Sequence, residues 1–267
     1  MSRVAGDSLI RRALRRERIF VVAGLLTVIG LSWTYLLAGA GTMQEMGGML
    51  MPMSSGPWDL NHTLAMLAMW AVMMAAMMLP SAAPMILLYG SIARGRSAKG
   101  EEVPGSAVFA AGYTVVWAAF SVAAVALQFG LEAAALLSPM METTSIVLTA
   151  TLLIAAGVYQ WTPLKQACLT RCRSPLEFVL TQWREGRRGA FTMGVRHGAY
   201  CVGCCWLLML LLFVGGVMNL MWIAGLAVYV LVEKLAPAGH WIGRAAGLLL
   251  IGWGVATLFA VRLAAIG

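Results

Sequence analysis

The sequence predicts an all-α fold, a polytopic membrane helix bundle of about seven transmembrane helices, and three observations lead to it. Of 267 residues, 61% are apolar and 11% charged, against roughly 45–50% and about 25% in soluble domains. Seven apolar stretches recur at close to the roughly 20 residues that cross a bilayer. Basic residues gather in alternate loops, the signature of cytoplasmic segments. A soluble enzyme and a nucleic-acid binder are excluded by this composition, and the net charge of +8 is explained by orientation.

The elements follow in order. Residues 1–18 form a basic cytoplasmic tail with Arg3, Arg11, Arg12, Arg15, Arg16 and Arg18. The first stretch, Ile19–Gly39, exceeds the roughly 7–15 residues of a signal-peptide core and reads as a span. Residues 40–63 make an outer loop rich in Met. The second span, Leu64–Gly90, leads to an inner segment with Arg94, Arg96 and Lys99. Ala107–Phe129 and Thr144–Trp161 flank a short outer loop bearing Glu132 and Glu142. The inner loop 162–199 holds Lys165, Arg171, Arg173, Arg184, Arg187, Arg188 and Arg196. Tyr200–Val217 and Met218–Leu235 are divided only by Gly215-Gly216 and Asn219. Merging them would put Lys234 and Arg244 outside, so they read as two spans, and Trp241–Val261 closes the chain. All but Arg262 of the 19 Lys and Arg residues then lie inside. Residues 19–267 form a single membrane-embedded domain, with the N-terminus in the cytoplasm.

The inner loop is patterned for short amphipathic helices. Thr162-Pro163 pairs an N-cap with proline at the first helical position. Ser174-Pro175-Leu176-Glu177 adds a capping-box glutamate. Leu176, Val179, Leu180 and Trp183 fall on one stripe, which suits a helix lying on the membrane surface.

Five cysteines, Cys168, Cys172, Cys201, Cys204 and Cys205, all fall in or beside this loop, on the reducing side, where stable disulfides are not expected. Cys168 and Cys172 share one helix face. His197, Cys201, Cys204 and Cys205 follow at i, i+4, i+7 and i+8 and share another. Thiolates suit Cu(I), and thiolates with an imidazole suit Zn²⁺. Lys165, Arg171, Arg173 and Arg196 stand close in sequence, where they would favour thiolates. The competing reading is that cysteine is a small buried apolar residue.

Methionine gathers on the other side. Twelve of 19 Met residues lie between Met43 and Met85. Met43, Met46, Met49, Met51 and Met53 occupy the outer loop, with Asp59 and His62 following as harder ligands. Met66, Met69, Met73 and Met77 continue at helical spacing, beside Met74 and Met78, until Pro80 and Pro84 interrupt the helix. Thioethers keep soft-donor character in an oxidising compartment and select Cu(I). The alternative reading of the stripe is packing. Among the remaining polar groups, Asn219, Gln128 and Gln160 are assigned to helix–helix hydrogen bonds. Glu233-Lys234 is read as a solvated or locally paired couple, and His240 as a surface residue. No catalytic residues for hydrolysis or proton pumping are found.

Three runs carry a family resemblance. They are Trp70-Ala71-Val72-Met73-Met74-Ala75-Ala76-Met77-Met78-Leu79-Pro80-Ser81-Ala82-Ala83-Pro84, Tyr159-Gln160-Trp161-Thr162-Pro163-Leu164-Lys165 through Cys172-Arg173-Ser174-Pro175, and Gly194-Val195-Arg196-His197-Gly198 through Cys204-Cys205-Trp206. Gly215 to Leu220 and Glu233-Lys234-Leu235 also fit. The chain resembles an uncharacterised bacterial family of predicted metal-binding integral membrane proteins over roughly Met66 to Leu235. The resemblance implies a membrane protein that binds metal, placed in the bacterial cytoplasmic (inner) membrane, and the Met-rich outer loop lies outside it.

The leading reading is handling of a soft metal, Cu(I) first and Zn(II) second, by transport or delivery. Met69, Met73 and Met77 would form the path, Asp59 and His62 would stand at its outer end, and the Cys/His cluster at its inner end. Two others remain open: a membrane oxidoreductase or metalloenzyme built on that cluster, and a structural or assembly protein with a zinc-like site. The partners expected are the lipid bilayer, the metal ion and a metal chaperone or metalloenzyme, with no nucleic acid. The orientation is testable: a Ser55→Cys variant should react with a membrane-impermeant thiol reagent in intact cells. Reaction with permeant reagent alone would invert the topology.

Overall fold

The computed structural model describes residues 2–38, 43–46, 49–52, 58–97 and 103–264, with side-chain surroundings for 19–38, 58–97 and 103–260. The side chains of Met43–Met53 and of the basic tail, and those of Lys99 and Arg262, lie outside the described residues.

The first helix, α1 (Ser2–Leu37), runs unbroken from the basic tail into the first apolar stretch. The outer loop holds a two-stranded antiparallel hairpin rather than loop alone, β1 (Met43–Met46) and β2 (Met49–Pro52), pairing Met43 with Pro52 and Met46 with Met49. Then come α2 (Leu60–Ser97) and α3 (Ser106–Ala133). Two shorter helices, α4 (Ile146–Tyr159) and α5 (Pro163–Arg173), meet at a bend of 64°. The bend is the predicted Thr162-Pro163 signal: Thr162 Oγ1 accepts from Lys165 N at 3.3 Å. The chain continues through α6 (Pro175–Gln182), α7 (Gly186–Leu210), the single turn α8 (Leu212–Gly215), α9 (Leu220–Leu235) and α10 (Gly239–Ala264).

Each apolar stretch becomes helix, but not all reach spanning length. Among the described residues, five helices are long and apolar enough to cross a membrane, and the bent α4–α5 pair would make a sixth. The count of seven therefore exceeds what length supports. With 14 residues in α4 and 16 in α9, both fall short of the roughly 20 a bilayer needs. The weakest boundary is real. Gly216 adopts φ +87°, a left-handed geometry that favours glycine, and the Asn219 side chain caps α9 by accepting from Trp222 N at 3.2 Å. Gly216 thus ends α8 and Asn219 starts α9, so the expected bond from Asn219 to another helix is replaced by a cap.

Two further expectations are corrected. The prolines do not interrupt α2, which stays helical through Pro80 and Pro84. Each proline withholds an N–H from the carbonyl four residues back, that of Ala76 and of Pro80, and the same turn is tied to α3 at a neighbouring carbonyl: Ser81 Oγ and Tyr113 OH both donate to Met78 O, at 2.9 and 3.2 Å. The face of α6 also differs from the expected stripe. Phe178 and Val179 are buried while Leu176 and Leu180 point outward, because Phe178 packs edge-on against His197 and Tyr200. Glu177 pairs with Arg171 at 3.2 Å rather than closing a capping box.

The core is a packed group of α2, α3, α7 and α9, with α1 laid on α2, α5 against α7, and α10 on α4. The tightest crossing joins α3 to α7 through glycine. A Cβ at Gly194 would stand 2.0 Å from Phe109 O, and one at Gly112 2.2 Å from Phe191 O. Small residues four apart, here Gly194 and Gly198, let helix backbones approach this closely. Gly194→Ala is expected to destabilise the protein by about 1–3 kcal/mol through overpacking. Gly225→Ala, with nothing within 4 Å of the new methyl, should be neutral or stabilising. Thermal unfolding of both variants in mild detergent checks the contrast.

Candidate metal centre

The i, i+4, i+7, i+8 spacing on α7 does what it predicts: His197, Cys201, Cys204 and Cys205 are all buried in the bundle. All five cysteines are free. Cys204 Sγ and Cys205 Sγ both donate to Cys201 O, at 3.1 and 2.9 Å, which ties the three thiols into one turn. Cys172, from α5, interacts with Cys201 and Cys204. Cys168, one turn earlier, is only half-buried and presses on the α7 backbone, its sulfur 2.7 Å from where a Cβ at Gly203 would stand. Among the described residues, no three side chains of His, Cys, Asp and Glu are grouped so as to hold a metal ion. The centre is a neighbourhood of thiols, not the closed tetrahedron of a structural zinc site.

Cys201 is the hub. Its sulfur lies 3.1 Å from Tyr113 OH on α3 and accepts from Lys234 Nζ on α9 at 2.8 Å. The same ammonium donates to Ser81 Oγ on α2 at 3.3 Å. Three helices therefore meet at one sulfur, and α2 joins them through the Lys234–Ser81 bond. The end of the methionine stripe is joined to it twice, by Lys234 through Ser81 and by Tyr113 through Met78 O.

The cation at this hub was missed in the sequence. Lys234 is neither solvated nor paired with Glu233. Adjacent residues on a helix point about 100° apart, which was enough to separate them. Glu233 turns instead to Lys165, whose Nζ stands 2.7 and 3.0 Å from the two carboxylate oxygens, both side chains fully buried. Lys165 is thus committed away from the thiols. Arg171 goes to Glu177, Arg173 to the carbonyls of Ala236 and Pro237, and Arg196 to Gln182.

Among the described residues, the buried polar atoms without a partner include His197 Nδ1 and both side-chain polar atoms of Gln160, besides the indole N–H groups of Trp117 and Trp183. His197 sits among the rings of Phe109, Tyr113 and Phe178, with centroids 5.5–6.1 Å away, and its Nδ1 has no hydrogen-bond partner. A buried unpaired group of this kind costs about 1–3 kcal/mol, and an imidazole nitrogen one turn from a thiol is a donor a soft metal accepts. Gln160 also has both side-chain polar atoms buried and unpartnered, so its expected helix–helix bond does not form. Gln128 does form one, accepting from Trp70 Nε1 at 2.8 Å.

The other predicted residues lie at the far end of α2. Met69, Met73 and Met77 are buried, as are Met66, Met74, Met78 and Met85. Asp59 caps α2, its Oδ1 accepting from His62 N at 2.7 Å, and the His62 ring packs edge-on against Trp58 at 4.9 Å. From His62 to Ser81 a helix rises about 28 Å, so the Asp59–His62 end cannot join the thiols in one site. The methionines fill the distance between.

A family model described as PpoB2, a copper chaperone, matches residues 67–257. The matched region takes in Met69, Met73 and Met77, the five cysteines, His197 and Lys234, and leaves out Asp59 and His62. No curated protein and no solved structure matches the chain. The buried Lys165–Glu233 pair yields a test of its own. Glu233→Gln strands a buried ammonium and should cost about 3–5 kcal/mol, whereas joint replacement by Lys165→Met and Glu233→Leu should recover most of it. A double-mutant cycle in thermal unfolding checks this.

Proposed function

The chain belongs to the PpoB2 copper-chaperone family, and from that premise we propose that it is a multi-pass protein of the bacterial cytoplasmic membrane that takes in Cu(I) along buried thioethers and holds it at the α7 thiols for delivery to a partner metalloprotein. The observation that carries this reading is the junction at Cys201, where the last turn of the methionine stripe meets the thiol cluster through Tyr113 and Lys234.

The donor types support it. Thioethers and thiols are soft and favour Cu(I), and Zn²⁺, which asks for a closed tetrahedral set, is the poorer fit. Charge supports it as well. Two thiolates around a monovalent ion carry a net negative charge inside a medium of low dielectric, and the Lys234 ammonium offsets it. In this reading His197 and Cys172 complete the ligand set, because His197 Nδ1 is unpartnered and Cys172 faces Cys201 and Cys204. Conduction along several weak sites, strong enough to enter and weak enough to leave, is what a path requires. Membrane placement is supported by the apolar surfaces left outward: only 11% and 17% of the most apolar stretches of α1 and α10 are buried, and lipid would cover the rest.

Full-length protein purified in mild detergent without oxygen is expected to bind Cu(I), and Cys201→Ser with Cys204→Ser to lose it at unchanged helix content. Elemental analysis decides, and a wild-type protein that fails to take up copper would overturn the reading. The path has its own test. Met73→Leu with Met77→Leu conserves volume and should cost less than about 1.5 kcal/mol of packing, yet abolish cellular copper accumulation. Normal accumulation at normal expression would leave the stripe as packing.

A further inference from the structure

We propose that Met66, Met141 and Glu132 form an entry site for a soft monovalent cation, Cu(I) or Ag(I), at the head of the methionine stripe, guarded by the amide of Gln128. The proposal deepens the copper reading above and rests on it for the identity of the cargo.

The geometry begins with Gln128, fully buried on α3. Its carbonyl oxygen accepts from Trp70 Nε1 at 2.8 Å. An indole N–H only donates, so this bond fixes which end of the amide is oxygen and turns the –NH₂ the other way. There it meets three acceptors: Glu132 Oε1 at 2.8 Å, Met141 Sδ at 3.4 Å and Met66 Sδ at 3.5 Å. An amide has two hydrogens for these three groups, and a thioether is a weak acceptor. The set is a poor match for an amide and a good one for a soft cation, with two thioethers to select Cu(I) and one carboxylate to cancel its charge.

The surroundings hold these groups in place. The second oxygen of Glu132 accepts from Trp58 Nε1 at 2.8 Å. Met141 adopts φ +56°, a left-handed conformation that costs an L-residue free energy and persists where its surroundings impose it. Its N–H donates to Ser138 O at 2.9 Å and its carbonyl accepts from Val217 N at 3.4 Å, so the strained turn aims the side chain. Access comes from one side: Glu132, Met141 and Trp58 are half-buried, while Gln128 and Met66 are closed off below them. Met66 is also the first of the buried α2 methionines, so a cation released from this site enters the stripe directly. Pro52, which ends β2, precedes Trp58 by six residues, a reach of at most about 20 Å, so the Met-rich outer segment is tethered close to the mouth. Met141 lies 75 residues from Met66, beside an exposed Met140, and sequence spacing could not pair it with Met66.

Full-length protein labelled with ¹³C at the methionine methyls is titrated with Ag(I) in detergent micelles, while ultraviolet absorption of silver–thiolate reports the cysteines separately. Met66→Leu and Met141→Leu assign the two signals. Both should shift together on Ag(I) addition, either leucine variant should abolish the shift of the remaining partner, and Glu132→Gln, which keeps the side chain's shape, should weaken it. Thiols that load while these two methyls stay unmoved would overturn the entry site and leave the thiol centre standing. Methyls that shift without thiolate absorption would support the entry site and remove the inner centre. No response from either would overturn both.

Discussion

A single contact, Lys234 Nζ on Cys201 Sγ at 2.8 Å, organises the interior of this protein. An ammonium in an apolar bundle is tolerable only where neighbours satisfy it, and here α2 supplies a hydroxyl and α7 a sulfur. Both must be brought within reach of α9 at once. That requirement explains why the core group is α2, α3, α7 and α9, and why Tyr113 from α3 completes the ring of partners. The glycine crossing of α3 and α7 serves the same end: with backbones this close, Tyr113 lies against Cys201 and His197 instead of being held off by side chains.

A second buried charge pair, Lys165 with Glu233, does a different task one residue earlier on α9. Glu233 and Lys234 diverge from one helix, the first holding α5 and the second holding α7. Because α5 carries Cys168 and Cys172, this pair sets where the α5 thiols meet the α7 thiols. Buried ion pairs add little net stability against apolar replacements, so the value of this one is registration. The short helix is bounded at both ends by proline-marked turns, and the ion pair fixes it against the bundle.

Much of this was legible in the sequence for stated physical reasons. Apolar runs located the helices, Thr162-Pro163 marked the bend, and the spacing from His197 to Cys205 put four soft donors on one buried face. Gly216 and Asn219 divided α7–α8 from α9 because a left-handed glycine and a capping side chain act locally. What failed was non-local. Lys165 and Glu233 are 68 residues apart and Lys234 and Cys201 are 33 apart, and no local pattern encodes such partners. The face of α6 was misjudged for the same reason, since it is set by His197 and Tyr200 across the bundle. The continuity of α2 through two prolines depends on packing that composition does not reveal, and Glu233-Lys234 looked like a surface pair only because adjacency in sequence was taken for adjacency in space.

The unbroken course of α2 has a consequence for chemistry as well as for shape. Its methionines are sealed from solvent along the whole stripe from Met66 to Met78, and the helix is not broken at Pro80. Cu(II) prefers nitrogen and oxygen donors in a tetragonal arrangement, while thioethers suit Cu(I). A copper ion travelling here would find sulfur at each turn and no aqueous shell to support the higher charge. On the proposed reading, a route lined this way would act as an oxidation-state filter: it would admit the reduced ion and reject the oxidised one by withholding solvation, with no need for a separate gate.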